Sequence, residues 1–101
     1  MQSYQMYIGG EFTSGSTTQA MDVVNPATGE VFAQVPEASR KDMQAAIAAA
    51  RDAFDHGEWR NSTGIQRAGV LFKIAAALRE HAAELAELET LNMGKPLTES
   101  E

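Results

Sequence analysis

The chain has 101 residues, 44% of them hydrophobic, and a net charge of −6. This length fits one small domain with a modest core, and the scattered Lys and Arg residues exclude the basic patch that a nucleic-acid or anionic-membrane surface needs. There is no cysteine, which excludes a disulfide, a thiolate metal site or a cysteine nucleophile within these residues. With no signal peptide and no apolar run near the ~20 residues of a membrane span, this composition predicts a cytoplasmic protein.

Residues 1–36 predict two β-hairpins. The Gly9-Gly10 pair lies between short apolar runs, and paired glycines accept the positive φ of a primed two-residue turn. In the second hairpin the strands AMDVV and EVFAQV are joined by a tight turn. Pro26 presets φ in that turn, and Gly29 supplies a left-handed residue. Turn chemistry alone indicates a structural role for this segment.

Residues 39–93 predict three helices. Ser39 with Asp42, and Thr63 with Gln66, have the spacing of capping boxes that begin the first and second helices. The first helix is expected from about Arg40 to Phe54, and a bend near Glu80–His81 is an open alternative to one long second helix. Side chains predicted to face the core recur at helical spacing: Met43, Ile47, Ala50 and Phe54; Ala68, Leu71, Phe72, Ala75 and Leu78; Leu85, Leu88 and Leu91.

The last residues end the third helix and begin another element. Gly94 suits a left-handed cap, Pro96 prevents continuation of the helix, and Lys95 between them is expected to be exposed. Thr98 and the acidic residues after it are typical of a helix N-terminus.

No group of residues has the pattern of an active site. His56 and His81 are far apart and without partners at metal-ligand spacing, which favours surface positions. Glu84, Glu87 and Glu89 are interpreted as a solvated face. From the residues alone, the chain is a small acidic α+β unit without a recognisable catalytic centre.

Four segments, however, resemble a known family in their order and spacing: YIGGEF, VVNPATGEVFAQVPEAS, AAIAAARDAF and LREHAAELAELETLNMGKPL. Together they resemble the N-terminal part of the aldehyde dehydrogenase superfamily, over about Tyr7 to Leu97. The combination of NPATGE with ELETLNMGKP at this distance indicates the superfamily and does not indicate which member.

The resemblance implies an α/β parent enzyme with a Rossmann-like coenzyme domain, a catalytic domain and an oligomerisation flap, assembled as a homodimer or homotetramer. Residues 1–101 would be the N-terminal part of the coenzyme-binding domain. Within them, 1–36 would be β-hairpins, 39–93 helices and 94–101 the start of the next element. The catalytic domain would lie outside this chain.

The resemblance also implies the reaction. Such enzymes oxidise an aldehyde to a carboxylic acid, or in some members to a thioester, with NAD or NADP, through a thiohemiacetal on a cysteine. A glutamate-activated water then releases the acid. None of these catalytic or coenzyme-binding groups is expected among the 101 residues, so the segment itself is expected to be structural and inactive.

One minor site is implied residue by residue. Many members hold a structural monovalent cation, and the positions that match its ligands are the main chain of Val23 and Val24 and the side chain of Asn92. An amide at Asn92 in place of the usual carboxylate would bind Na⁺ more weakly, because it carries no charge. Arg67 and Glu89 match positions that the family tends to keep, and are expected to form a structural ion pair or caps.

A second hypothesis remains beside the enzyme. The chain could be a stand-alone acidic α+β module that docks a partner through its leucine-lined helices. A stand-alone module is expected to fold cooperatively and stay monodisperse, whereas a fragment is expected to expose an apolar face and self-associate.

Overall fold

A computed structural model describes residues 1–101. The strands are β1 (Gln2–Ser3), β2 (Met6–Ile8), β3 (Glu11–Thr13), β4 (Ala20–Val24) and β5 (Val31–Pro36). The helices are α1 (Arg40–His56), α2 (Gly64–Glu80), α3 (Ala82–Met93) and α4 (Leu97–Ser100), with a 3₁₀ turn at Trp59–Asn61. The chain divides into a first unit, residues 1–24 and 31–60, and a second unit, residues 25–30 and 61–101. None of the helices is both long and apolar enough to cross a bilayer.

The first unit contains two small sheets. Strands β2 and β3 form the predicted hairpin, with Tyr7 opposite Phe12 and positive φ at both Gly9 and Gly10. Strands β4 and β5 pair antiparallel, as predicted, and β1 adds to β5 in parallel to make a three-stranded sheet. The parallel pair is not predictable from the sequence, because two polar residues carry no periodic signal.

Helix α1 packs its alanines, not its large side chains, within this unit. The capping box at Ser39 and Asp42 begins the helix as predicted. Ala46 and Ala49 are half-buried, whereas the predicted inward side chains Met43, Ile47, Ala50 and Phe54 are exposed. That prediction of buried residues was wrong. Small side chains let the β2–β3 turn come close, and an ideal Cβ at Gly9 would lie 3.9 Å from the Cβ of Ala49.

The second unit joins the turn at residues 25–30 to helices α2, α3 and α4. The main-chain N–H of Gly29 donates to the carbonyl of Asn25 at 2.8 Å, and the Asn25 side chain accepts from the N–H of Ala27 at 2.9 Å. Gly29 has φ +76°, in the left-handed region, as predicted. The predicted capping box at Thr63 and Gln66 begins α2.

The end of α3 meets the turn. Gly94 caps the helix with φ +77°, and its N–H donates to the carbonyl of Thr90 at 2.8 Å. A Cβ at Gly94 would lie 2.9 Å from Cγ of Pro26. The turn and the helix cap are therefore packed against each other.

The two long helices of this unit are separate and unequally buried. His81 ends α2 and precedes α3, so the bend at residues 80–81 is the alternative that the structure adopts. Ala86 is 3% exposed, and Leu88 and Leu91 are half-buried, while Leu85 and the large apolar residues of α2 face solvent. The predicted inward face of α2 was wrong for Leu71, Phe72 and Leu78, since only Ala68 and Ala75 are half-buried.

Candidate functional site

Asp42, at the start of α1, is the buried carboxylate of the first unit. Its oxygens accept hydrogen bonds from the N–H of Ser39 at 2.9 Å, the hydroxyl of Ser39 at 2.9 Å and the N–H of Ser16 at 2.8 Å. The Ser39 N–H, above all, lowers the pKa of Asp42, and the other hydrogen bonds act with it against desolvation by burial. Asp42 is therefore an ionised acceptor that caps the helix and ties down the loop at Ser16.

Sequence reasoning identified Asp42 as a cap and missed Ser16. The N–H of Ser16 donates to the carboxylate of Asp42, which is 26 residues further along the chain. The polar loop around Ser16 has no periodicity that would predict this contact.

The two histidines lie on exposed helix ends in different units. His56 Nδ1 is 2.9 Å from a carboxylate oxygen of Asp52, and His81 Nδ1 is 3.4 Å from one of Glu84. Both carboxylates are within one helical turn of their histidine, which is the geometry of a surface ion pair. No group of three His, Cys, Asp or Glu residues in the structure could hold a metal ion.

Two arginines, one on α1 and one in the 3₁₀ turn that follows it, lie over one aromatic ring at the end of α1. The guanidinium carbons of Arg51 and Arg60 lie 5.2 Å and 5.0 Å from the centroid of the Phe54 ring. Arg51 also donates through Nε to Asp55 at 2.9 Å, and this bond lowers the pKa of Asp55. These contacts stabilise an exposed helix end.

A groove lies between the β2–β3 turn and α1, within the first unit. It encloses about 460 Å³ and is lined by small residues together with Tyr7, Ile8 and Asp52. A dinucleotide coenzyme needs glycine-rich backbone between a strand and a helix N-terminus to hold its phosphates. Here the glycines join two antiparallel strands, and the one charged lining residue is an anion. These residues do not fit NAD.

Lys95 was predicted to be exposed, and that prediction was wrong. Lys95 is half-buried, and its Nζ lies 2.9 Å from an oxygen of Glu89. Arg67 donates through Nε to the hydroxyl of Ser62 at 3.0 Å. Glu89 and Arg67 thus make structural contacts near the two ends of the helical segment.

The residues implied for a monovalent cation are distributed over both units. Val23 and Val24 are on β4, with a bulge between them, and Asn92 is an exposed residue of α3. The cation site stays a prediction.

Comparison with known proteins shows what kind of chain this is. The family model described as "Aldehyde dehydrogenase family" matches residues 12–101. Betaine aldehyde dehydrogenase of Bacillus subtilis is 45% identical over 98 residues, which are 97% of this chain and 20% of that protein.

Solved structures agree with the sequence match. The NAD-dependent aldehyde dehydrogenase from Sinorhizobium meliloti superposes with a TM-score of 0.92 at 38% identity, covering 97% of this chain and 20% of that one. A point mutant of betaine aldehyde dehydrogenase from Staphylococcus aureus, solved with NAD⁺, gives 0.89 at 41% identity, covering 96% and 20%. The chain spans about one fifth of the length of each of these three relatives.

The match confirms the predicted α/β fold class, with short strands followed by helices in the part present here. The resemblance derived from four sequence segments is confirmed as well, including its restriction to an N-terminal segment. The chain belongs to the aldehyde dehydrogenase family.

Proposed function

We propose that residues 1–101 are the N-terminal part of the coenzyme-binding domain of a longer NAD- or NADP-dependent aldehyde dehydrogenase. In that parent, an aldehyde is oxidised to a carboxylic acid by way of a cysteine thiohemiacetal. The 101 residues have a structural role and no activity alone. The cysteine and the coenzyme-binding residues belong to the rest of the parent.

The observation that carries the proposal is the pair of coverages: the match takes in 97% of this chain and 20% of its Sinorhizobium relative. The chemistry of the described residues supports it. Asp42 is an ionised cap, Lys95 is paired with Glu89, and the residues lining the groove of the first unit do not suit a dinucleotide.

The test is a chimera. Residues 1–101 replace the matched segment of Staphylococcus aureus betaine aldehyde dehydrogenase, and NADH formation from betaine aldehyde is followed. We expect an active chimera, since the segment is 41% identical to the one it replaces. We expect no NADH from the 101-residue chain alone. Turnover by the isolated chain, or a soluble chimera without activity, would contradict the proposal.

A stand-alone binding module is the alternative function, and the exposed apolar residues of α2 are the observation that favours it. The intact mass of the native protein separates the two. A mass that corresponds to several hundred residues supports the aldehyde dehydrogenase parent. A stable monomer with the mass of 101 residues supports the stand-alone binding module.

A further inference from the structure

A second groove of the first unit lies at the end of the three-stranded sheet. It is bounded by Ser3 and Tyr4, by the loop at residues 14–19 with the first residue of β4, and by the last residues of β5. We call it the Tyr4 groove. It encloses about 350 Å³, which is within the range of about 300–1,000 Å³ for small-molecule sites and near its lower end. The groove is therefore large enough for a small organic ligand.

The polar lining of the Tyr4 groove is uncharged. Six lining residues have a neutral polar side chain: Ser3, Ser14, Thr17, Thr18, Gln19 and Gln34. Strong recognition of phosphate, carboxylate or ammonium groups depends on an opposite charge, which this lining lacks. Hydroxyl and carboxamide groups each provide donors and acceptors. The lining is therefore matched by a neutral ligand that carries hydroxyl groups.

The remaining lining residues provide apolar surface: Tyr4, Ala20, Val35 and Pro36. Tyr4 is 40% exposed, and its hydroxyl donates to Oε1 of Gln2 at 2.6 Å, which restricts the orientation of the ring. A pyranose ring has hydroxyl groups at its edge and apolar C–H groups on its faces, and an aromatic ring presents an apolar face to such a molecule. A groove with both kinds of surface suits a sugar ring better than an open-chain polyol, which has no such face.

Hydrogen bonds between segments hold the walls of the Tyr4 groove. The Tyr4 N–H donates to the carbonyl of Gln34 at 3.0 Å, and the Glu37 N–H donates to the carbonyl of Gln19 at 3.0 Å. The Thr17 hydroxyl donates to the carbonyl of Glu37 at 3.0 Å. The groove is thus already formed, and binding to a formed groove requires little further ordering of the chain.

Three polar side chains of the Tyr4 groove are available to a ligand. Those of Ser3, Thr18 and Gln19 make no hydrogen bond within the protein, and all three residues are exposed. The Gln34 side chain, in contrast, donates to Asp22 at 2.7 Å. A ligand hydroxyl would replace water on the three available side chains without breaking a hydrogen bond of the protein.

An extended peptide is another neutral ligand with donors and acceptors. A peptide that adds to a sheet pairs with a free strand edge. In this groove β5 lies between β1 and β4, and its last residue, Pro36, has no N–H to donate. Strands β1 and β4 line the groove only with Ser3 and Ala20. The sheet therefore offers a peptide little edge, which favours the sugar.

We propose that the Tyr4 groove binds a neutral pyranose sugar. The sugar ring lies against Tyr4, and its hydroxyl groups bond to Ser3, Thr18 and Gln19. The proposal adds a ligand site to a segment whose proposed role is structural, and it does not depend on the reaction of the parent.

Titration of the 101-residue chain with D-glucose and maltose tests the proposal, with the amide signals followed by NMR. Sugars stabilise folded proteins by exclusion from their surface, so a raised thermal midpoint would not distinguish binding from exclusion. We expect saturable shifts confined to residues 3–4, 17–20 and 34–36, with a Kd of about 1–10 mM. Sorbitol, an open-chain polyol, should bind at least about twofold more weakly, because it lacks the apolar ring face.

Two substitutions locate the contacts. Thr18→Val removes a hydroxyl and keeps the shape of the side chain, so the Kd for maltose should rise about two- to tenfold. Tyr4→Ala removes the ring and should raise this Kd by up to about tenfold. Thr98→Val and Tyr7→Ala make the same changes at exposed residues outside the groove and should leave the Kd unchanged. Circular dichroism checks the fold of each variant, and Thr18→Val, at an exposed position, decides if Tyr4→Ala does not fold.

Three outcomes would overturn the proposal. The first is the absence of saturation, or shifts spread over the whole chain, which would show only a general effect of sugar on the solvent. The second is an unchanged Kd in Thr18→Val, or sorbitol binding as tightly as glucose. The third is a blocked peptide of glycine and serine that binds at the same residues more tightly than maltose, because the groove would then be a peptide site.

Discussion

The carboxylate of Asp42 is held by three hydrogen bonds, two to Ser39 and one to Ser16. Hydrogen bonds to the ionised form lower its pKa below the ordinary value of 3.8. A group with a lowered folded-state pKa adds stability above its unfolded pKa, and that stability is lost as the pH falls through the folded value. We therefore expect the ionised Asp42 carboxylate to stabilise the first unit at neutral pH and to lose this effect in acid.

Asp42→Asn is expected to lower the thermal midpoint of the 101-residue chain at pH 7. Its effect should begin to shrink as the pH falls below about 3.8, where the carboxyl of the unfolded chain becomes protonated, and should be lost once the pH has fallen through the lower folded-state pKa. Circular dichroism melts across this pH range measure both effects. Asp52→Asn, an exposed position on the same helix, is the control and should change little. Equal effects of the two substitutions at all pH values would contradict the role of Asp42.

Gly57 ends α1 in an extended conformation, with its N–H bonded to the carbonyl of Ala53 at 3.0 Å. A Cβ there would overlap that same carbonyl oxygen. We expect Gly57→Ala to destabilise the chain by about 1–3 kcal/mol, the usual range for overpacking. Gly69→Ala, in the open middle of α2, should instead stabilise it by about 1 kcal/mol. Urea unfolding gives the change in the free energy of unfolding for each variant. Changes of the same sign would contradict the crowded position of Gly57 and the open position of Gly69.

At the scale of elements, the cap of α3 and the turn at residues 25–30 form one packed unit. Gly94 and Gly29 both have positive φ, but only Gly94 also has a close neighbour, Pro26. Replacement of a left-handed glycine by alanine costs about 1–2 kcal/mol in backbone strain alone. The contact with Pro26 adds to that cost at Gly94.

We therefore expect Gly94→Ala to destabilise the chain more than Gly29→Ala, and to do so less in a Pro26→Ala background. A double-mutant cycle by urea unfolding gives the coupling between positions 26 and 94, expected in the range of about 0.5–3 kcal/mol. Additive effects would show that the helix cap and the turn are not in contact. Gly10→Ala with Pro26→Ala provides the uncoupled reference, because Gly10 also has a positive φ and nothing lies within 4 Å of a Cβ there.

Helix boundaries followed closely from local signals in the sequence. The capping boxes at Ser39 and Thr63 and the left-handed Gly94 lie where they were predicted, because each depends on residues within one turn of the helix. Which face of each helix is buried did not follow from periodicity. In α1 the small residues Ala46 and Ala49 pack inward because the glycine turn of the β2–β3 hairpin approaches them closely.

At the scale of the whole molecule, exposed apolar side chains coexist with a net charge of −6 and a pI near 4.8. Charge repulsion between copies opposes association at pH 7, and it vanishes near the pI. We expect the turbidity of the 101-residue chain to be greatest near pH 4.8 and to be reduced there by Phe72→Ser. A solution that stays clear from pH 7 down to pH 4.8 would contradict the expectation that the exposed apolar side chains drive association.

In the candidate sites, too, features that depend on nearby residues were predictable from the sequence, whereas contacts that depend on the path of the chain were not. Cysteine content, spacing of histidines and turn chemistry are properties of the sequence, and they pointed to a structural segment. The Glu89–Lys95 pair escaped prediction, since whether a lysine beside a helix cap bends back to the helix depends on the path of the chain after Gly94.

The sequence by itself determined the family, the start and end of the main helices and the two glycine-containing turns, because each of these depends on short, ordered motifs. Only the tertiary structure decided that β1 joins β5, that Ser16 bonds to Asp42, and that alanines rather than leucines or phenylalanines of α1 and α2 are partly buried. The physical reason is that burial depends on what lies opposite a side chain. A helical repeat of apolar residues shows that a face requires a partner, but not whether these 101 residues contain it.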